Sequence, residues 1–343
     1  MKLSSLDQTQ QRLRPQGGAH RQRGGSTRTL PLKVGTRGSP LALWQTRHFL
    51  DLITRVCPLL REVEAFEEHV IATSGDRVQD RPLADIGGKG LFAKEIHEAL
   101  SDGRVDFAVH SLKDLETELP PGIVLACTLR REDPRDALVT GPTCGGAAPD
   151  DPYACLPRGA LVGTASVRRQ SQLLHARPDL RVEIIRGNVG ARLRKVRAEG
   201  GPEASLLALA GLRRLEMEHE AAVALDAEVM VPAACQGVIG VTVRADDVEL
   251  REMLSIIEDR ESAAASAAER ALLSELDGSC RTPIGGHARL LGDGLMRLTG
   301  LVARADGSFL LKRHVTGAAA DAARIGRELG ESLRGDAPAD IFG

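Results

Sequence analysis

The sequence is short of aromatic residues: Phe, Tyr and Trp together make up 2% of its 343 residues. Its cores must be built from Leu, Val, Ile and Ala, and the exposed aromatic platforms on which single-stranded nucleic acid stacks are excluded. A charge excess is missing too. The formal net charge is −2, so no global basic field exists to hold DNA or an anionic membrane surface, and any anion site must be local. No apolar run approaches the roughly 18 residues of a transmembrane helix. Cys57, Cys127, Cys144, Cys155, Cys235 and Cys280 form no CxxC pair and no Cys/His cluster at zinc-site spacing, so no metal is expected. With no secretory signal, they read as the reduced, mostly inert thiols of a cytoplasmic protein. Phosphate motifs are absent as well. Gly88-Lys89-Gly90 lacks both the Ser/Thr after the lysine and the glycine five positions before it, and no G-x-G-x-x-G follows a strand.

The chain is long enough for two or three domains with their own cores. Residues 1–29 stand apart, with six Lys/Arg, a single acid at Asp7 and almost nothing apolar. Pro15, Gly17, Gly18, Gly24 and Gly25 break any amphipathic helix there, so a disordered tail is expected rather than a transit peptide. Short apolar runs at 32–34, 69–72, 107–110, 137–140, 161–164, 182–185, 206–208 and 238–243 alternate with helical stretches at 91–100, 166–175 and 190–198. That alternation predicts an α/β fold with largely parallel sheets. Ser39 and Pro40 make a helix start, and Leu41, Trp44, Phe49 and Leu52 then share one broad face. The Pro/Gly-rich stretch 141–159 is a loop. Beyond it the last portion changes character. A helix at 261–275 precedes a hairpin of 298–302 and 309–315 closed at Asp306-Gly307, and an Ala-rich helix follows over about 318–333, an α+β unit.

Basic residues recur in short Gly/Ser/Thr-rich turns at strand-to-helix junctions: Arg37 before Gly38-Ser39, Lys89 between Gly88 and Gly90, and Lys113 in His110-Ser111-Leu112-Lys113-Asp114. Arg168 and Arg169 follow Thr164-Ala165-Ser166, and Arg186-Gly187-Asn188 leads to Arg192. In open α/β sheets this is the edge where ligands bind, and guanidinium forks suit carboxylates or phosphates. Each turn taken alone is a solvated, capped junction. Five together point to a ligand with many anionic groups, and without phosphate motifs carboxylates are the better match. Asp114 is an acid among cations. It reads either as a cap or ion-pair partner, or as a carboxylate that stabilises developing positive charge. Cys280, in Asp277-Gly278-Ser279-Cys280-Arg281, reads as a small buried hydrophobe or as an accessible thiol near an arginine.

In this order the segments resemble porphobilinogen deaminases over 33–317. The most specific stretches are Ser39-Pro40-Leu41-Ala42-Leu43-Trp44-Gln45, Gly87-Gly88-Lys89-Gly90-Leu91-Phe92, Val109-His110-Ser111-Leu112-Lys113-Asp114, Arg131-Glu132-Asp133-Pro134-Arg135-Asp136-Ala137 and Arg186-Gly187-Asn188-Val189-Gly190. The resemblance implies an α/β fold of three domains, two periplasmic-binding-protein-like α/β lobes and a smaller C-terminal α+β domain. The expected bounds are 30–131 with 236–256, 135–231, and 260–343. It implies a dipyrromethane cofactor joined by a thioether to Cys280, and Asp114 as the catalytic carboxylate that assists loss of ammonia and stabilises the resulting azafulvene. Arg37, Ser39, Lys89, Lys113, Ser166, Arg168, Arg169, Arg186, Gly187 and Arg192 would hold cofactor and substrate carboxylates, and Thr164 and Gln45 join them from the same motifs. The implied reaction condenses four porphobilinogens and releases hydroxymethylbilane, in a cytoplasmic monomer with no nucleic-acid or membrane partner.

Four positions depart from the usual pattern. Ala165 stands for Ser, Cys235 for Gly, Glu116 for Pro and Thr242 for Glu. None removes Asp114, Cys280 or a principal arginine. A non-catalytic two-lobed receptor for a polycarboxylate would share the lobes and the basic turns, but it leaves Asp114 and the unit bearing Cys280 without a purpose. A thiol hydrolase pairing Cys280 with His110 or His287 has no Cys/His signature behind it.

Overall fold

The computed structural model describes residues 29–77, 90–276 and 282–342. The expected N-terminal tail, but for its last residue, and the site residues Lys89 and Cys280 lie outside the described residues.

The first lobe is a five-stranded sheet built from β1 (Leu32–Thr36), β2 (Phe66–Val70), β3 (Phe107–Ser111), β4 (Ile123–Thr128) and β10 (Ile239–Arg244), in the order β2-β1-β3-β10-β4. β1 pairs in parallel with β2 and β3, while β10 lies antiparallel between β3 and β4. The second lobe repeats the plan with β5 (Asp136–Thr140), β6 (Leu161–Gly163), β7 (Arg181–Glu183), β8 (Ala204–Ala208) and β9 (Val223–Ala224), in the order β7-β6-β8-β5-β9. β6 pairs in parallel with β7 and β8, whereas β5 is antiparallel to both its neighbours. Each sheet is thus largely parallel with one reversed strand. The reversed strands are those the chain enters on crossing between lobes, out through 129–135 into β5 and back through 225–238 into β10.

Helices cover the sheets. α1 (Pro40–Val56) starts where expected, with the Ala42 N–H donating to the Ser39 hydroxyl at 3.2 Å and Pro40 in the first turn. Its buried stripe is Ala42, Thr46, Phe49 and Ile53, rotated from the expected face, with Trp44 only partly buried at its margin. Thr46 can face inward because its hydroxyl donates to the Thr36 hydroxyl and the Ala42 carbonyl. α2 (Lys94–Ser101), α3 (Val167–Ala176), α4 (Val189–Arg197), α5 (Leu209–Arg214) and α6 (Val248–Ser255) follow. The expected strand at 69–72 is displaced to Phe66–Val70. Its Phe66 ring meets Phe107 edge-on at 5.8 Å, while Glu67 and Glu68 suit an edge strand but hide the alternation.

α7 (Arg260–Glu275), α8 (Ala322–Asp336) and the antiparallel sheet β11 (Ile284–Gly292), β12 (Leu295–Ala303) and β13 (Leu310–Ala318) form the C-terminal unit. Leu272, Ile325, Leu329 and Leu333 fill its core. Gly326 lets the two helices touch, since a Cβ there would lie 2.2 Å from the Ala268 carbonyl oxygen. The hairpin closes at Asp306-Gly307 as the sequence indicates. Its turn rests on α3 of the second lobe, where His175 Nδ1 and the Gly307 carbonyl lie 2.9 Å apart and Gln170 donates to the Ala305 carbonyl at 3.1 Å. The final helix begins later than expected because β13 runs on to Ala318.

Candidate active site

The basic turns of Arg37, Lys113, Arg168-Arg169 and Arg186–Arg192 sit at the strand ends of the two lobes, and that of Lys89 lies outside the described residues. In the first lobe Arg37 follows β1, Ser39 caps α1, and β3 runs into a tight turn, Leu112–Asp114. Arg37, Ser39, Gln45, Phe92, His110, Ser111, Lys113 and Asp114 line one cavity. The Arg37 guanidinium donates to both oxygens of Asp76, at 2.5 and 3.1 Å, and more loosely to Asp114 at 3.4 Å, with the Phe92 ring 4.1 Å away. Burial opposes ionisation of Asp76, but Arg37 and Thr73 hold its carboxyl below the usual range. Asp114 therefore accepts one long ion-pair bond from a guanidinium otherwise committed to Asp76. His110 is pushed down to about 3, first by burial and then by His97 and Arg37, so it adds no charge. Its Nε2 meets the Thr242 hydroxyl at 2.8 Å, at the position where the resemblance leads one to expect Glu.

In the second lobe Ser166 caps α3, accepting from the Arg169 N–H at 3.4 Å, and Thr164 accepts from the Ser166 N–H. Arg168 and Arg169 are buried and converge on a single buried carboxylate. Arg168 reaches Asp136 at 2.8 Å, and Arg169 reaches it at 2.7 and 3.1 Å. Although burial opposes the charge of Asp136, the two guanidiniums hold its pKa well below the carboxylate range. Arg186 is buried, and Arg192 is braced by its own Nε donating to the Gly187 carbonyl at 2.9 Å. Arg192 is pushed down to about 10 by its surroundings, first by burial and then by Arg169 and Arg186, with Asp114 opposing. Gly187 has φ of 112°, where a side chain would be strained.

The lobes meet electrostatically at Lys113. Its ammonium donates to Gln236 Oε1 at 3.1 Å, and the Gln236 amide donates to Asp136 at 2.8 Å. Lys113 is open to solvent yet closely surrounded by the cleft walls. That crowding first, and then Arg169, push its pKa down to about 8, against the pull of Asp114 and Asp136. A second bridge runs from α5, where Arg214 donates to Gln45 at 3.1 Å and to the Gly237 carbonyl at 2.6 Å. Gln45 Oε1 also accepts from Ser111 at 3.0 Å.

The structure brings together Arg37, Ser39, Gln45, Lys113 and Asp114 on one side, and Thr164, Ser166, Arg168, Arg169, Arg186, Gly187 and Arg192 on the other. Asp136, Gln236, Arg214 and Asp76 were not singled out from the sequence. Asp136 lies inside the quoted Arg131–Ala137 stretch, but periodicity marks a residue's face and not its partner. Cys235, where the resemblance leads one to expect Gly, has φ of 62° and keeps the left-handed backbone glycine adopts freely.

A model described as "Porphobilinogen deaminase, dipyromethane cofactor binding domain" matches residues 32–252, and "Porphobilinogen deaminase, C-terminal domain" matches 263–335. The porphobilinogen deaminase of Paracoccus denitrificans is 49% identical over 312 residues, covering 91% of this chain and 96% of that protein. That of Nitrobacter winogradskyi is 47% identical over 309 residues, with 90% and 94% covered. The chloroplastic porphobilinogen deaminase of Pisum sativum is 44% identical over 318 residues, with 92% and 84% covered. Among solved structures, the periplasmic VFT2 domain of Bordetella pertussis BvgS aligns with a TM-score of 0.37 at 18% identity over 68% of this chain and 90% of that one. Two family models that together span most of the sequence, and relatives nearly half identical along their length, lead to one conclusion: the chain belongs to the porphobilinogen deaminase family.

Proposed function

We infer that the protein joins four porphobilinogen molecules head to tail, with loss of ammonia, on a dipyrromethane held at Cys280, and that water then releases hydroxymethylbilane. The observation that carries this reading is the uneven balance of charge at the cleft. Among the described residues, Lys113, Arg168, Arg169 and Arg192 gather around two carboxylates, Asp136 and Asp114, and crowding first, then the neighbouring arginines, push the pKa values of Lys113 and Arg192 down. Cations crowded together are stabilised by anionic partners, so the site suits a ligand that brings carboxylates of its own. A dipyrromethane, with its acetate and propionate arms, fits that demand.

A bound dipyrromethane supplies a free pyrrole carbon as the point of extension. The rest falls to the chain. Arg37, Ser39, Lys89, Lys113, Thr164, Ser166, Arg168, Arg169, Arg186, Gly187 and Arg192 hold and orient carboxylate arms. Asp114 accepts hydrogen bonds from pyrrole N–H groups and offsets the positive charge that develops on the substrate as ammonia leaves, commonly a large catalytic contribution. Arg37 keeps the Asp114 carboxylate in place, and neutral His110 avoids adding a competing cation beneath it. A non-catalytic receptor would leave Asp114 without a task.

Three domains, 30–131 with 236–256, 135–231 and 260–343, are supported by three sheets with separate cores. Action on a small molecule, without nucleic acid, suits a chain with a net charge of −2 and few aromatic residues, and action as a monomer is part of the same reading. The cytoplasm suits the five free cysteines among the described residues. No described helix is long and apolar enough to cross a membrane. The test is the intact mass of the protein beside Cys280→Ser. A wild-type excess of two linked pyrrole units that the variant lacks is the expected result. No adduct on the wild type after incubation with porphobilinogen would overturn the reading.

A further inference from the structure

Behind the turn that carries Asp114 lies a buried polar cluster to which the reaction assigns no task. Two residues past Asp114, the Glu116 side chain turns inward and is only 11% exposed. Its Oε2 stands 3.9 Å from Nδ1 of His97, an α2 residue whose side chain is 3% exposed. Among the described residues, neither ring nitrogen of His97 and not Glu116 Oε2 has a hydrogen-bond partner. The other Glu116 oxygen lies against Gly90, where a Cβ would fall 1.6 Å from it, so this inward pose requires glycine there. The backbone of the same turn is held from the C-terminal unit. The carbonyls of Glu116 and Thr117 both accept from Arg270, at 2.6 and 2.8 Å, and Arg270 sits on α7, the helix that leads toward Cys280.

A buried imidazole with both nitrogens unpaired is costly, and so is a buried carboxylate oxygen without a donor. Here the two costs face each other. The gap exceeds a hydrogen bond by about an ångström, and the last torsion of a glutamate is broad enough to close it. Among the described residues, the other charged or titratable groups around the pair are His110, whose ring centroid is 5.8 Å from that of His97, Arg270 with Cys235 beside it, and Arg37 on the far side of His110. The two arginines can only donate, the His110 Nε2 is engaged with Thr242, and the Glu116 carboxylate is the anionic acceptor facing His97 Nδ1. Burial works against a charged His97 and the Glu116 carboxylate works for it.

We propose that Glu116 is a positioning residue for the reaction: its carboxylate accepts the Nδ1–H of His97, and this couple, with Arg270 on the turn's backbone, holds the far side of the turn that aims Asp114. The proposal rests on the reading of Asp114 as the reacting carboxylate. It assigns a task to a residue that stands where the family pattern has proline, a residue without a carboxylate to offer.

The test uses the full-length protein with its cofactor and reads both turnover and the His97 tautomer by 15N NMR of the imidazole. In the wild type His97 should carry its proton on Nδ1. Glu116→Ala should lower kcat by about tenfold to a hundredfold, the scale of a misplaced catalytic group, with KM changed less than twofold, and should return His97 to the commoner Nε2–H form. Glu116→Gln keeps an acceptor oxygen and should recover most of both. Wild-type kcat in Glu116→Ala, failure of Glu116→Gln to rescue, or a wild-type His97 already protonated on Nε2 would each overturn the proposal. If Glu116→Ala does not fold, the wild-type tautomer decides alone. An active Asp114→Asn variant would overturn the underlying reading instead, so the two failures are distinguishable.

Discussion

Glu269 and Arg131 form a forked ion pair, with guanidinium-to-carboxylate distances of 2.6 and 3.3 Å and the glutamate fully buried. Arg131 lies on the connection that leaves the first lobe. The same carboxylate accepts from the N–H of Cys235 at 2.5 Å, on the returning connection, and from the N–H of Ala288 at 2.6 Å, on β11. One side chain of α7 thus ties both crossings between the lobes to the C-terminal unit.

Breaking a buried pair by neutralising one partner strands the other charge. Glu269→Gln should cost about 3–5 kcal/mol of stability, measured as a fall in the urea midpoint at unchanged slope. A loss under about 1 kcal/mol would mean that the crossings are held by other contacts.

Asp136 makes stability depend on acid. Its folded pKa lies below the unfolded value of about 3.9, so its contribution is fully present above that value and is lost as pH falls toward the folded pKa. Urea midpoints should therefore fall on acidification below about pH 4, and Asp136→Asn should be less stable at neutral pH and flatter in that acid range. Parallel acid limbs in the two proteins would show that Asp136 does not govern this range.

Lys113 titrates near the edge of the physiological range, at about 8. Its ammonium is present below that pH and disappears above it, and a carboxylate bound there loses its partner. KM for porphobilinogen should rise between about pH 8 and 9. Lys113→Arg, charged throughout, should show no such rise. A flat wild-type KM across this range would remove Lys113 from the residues that bind substrate.

Asp114 makes one side-chain ion-pair contact among the described residues, at 3.4 Å, so its loss should spare the fold. Asp114→Asn should melt within a few degrees of the wild type yet lose about 10²–10³ in kcat, as when an electrostatic stabiliser is removed. Turnover within tenfold of wild type would sink its assignment as the reacting carboxylate.

Features that depend on a few neighbouring residues were legible in the sequence: the Ser39-Pro40 helix start, the Asp306-Gly307 hairpin, the irregular stretch at 141–159 and the recurrence of cations at strand ends. Each follows from local rules of capping, turn geometry and periodicity, which act within about one helical turn. Asp114 and the four basic turns among the described residues lie at strand ends. Local rules did not place the buried stripe of α1, which shifted to bury Thr46 once Thr36 and the Ala42 carbonyl could satisfy it.

Only the tertiary structure decided which charges are paired. Arg214 meets Gln45 across 169 residues, Arg131 meets Glu269 across 138, and Lys113 meets Gln236 across 123. The chain crosses twice between its lobes, and both crossings meet Glu269. A partner chosen by that path leaves no trace in local periodicity, because hydrogen bonds and ion pairs depend on proximity in space. The sequence by itself determined the kinds of group at the strand ends. The fold decided that two buried arginines share Asp136, and that Lys113 and Arg192 are crowded close to them.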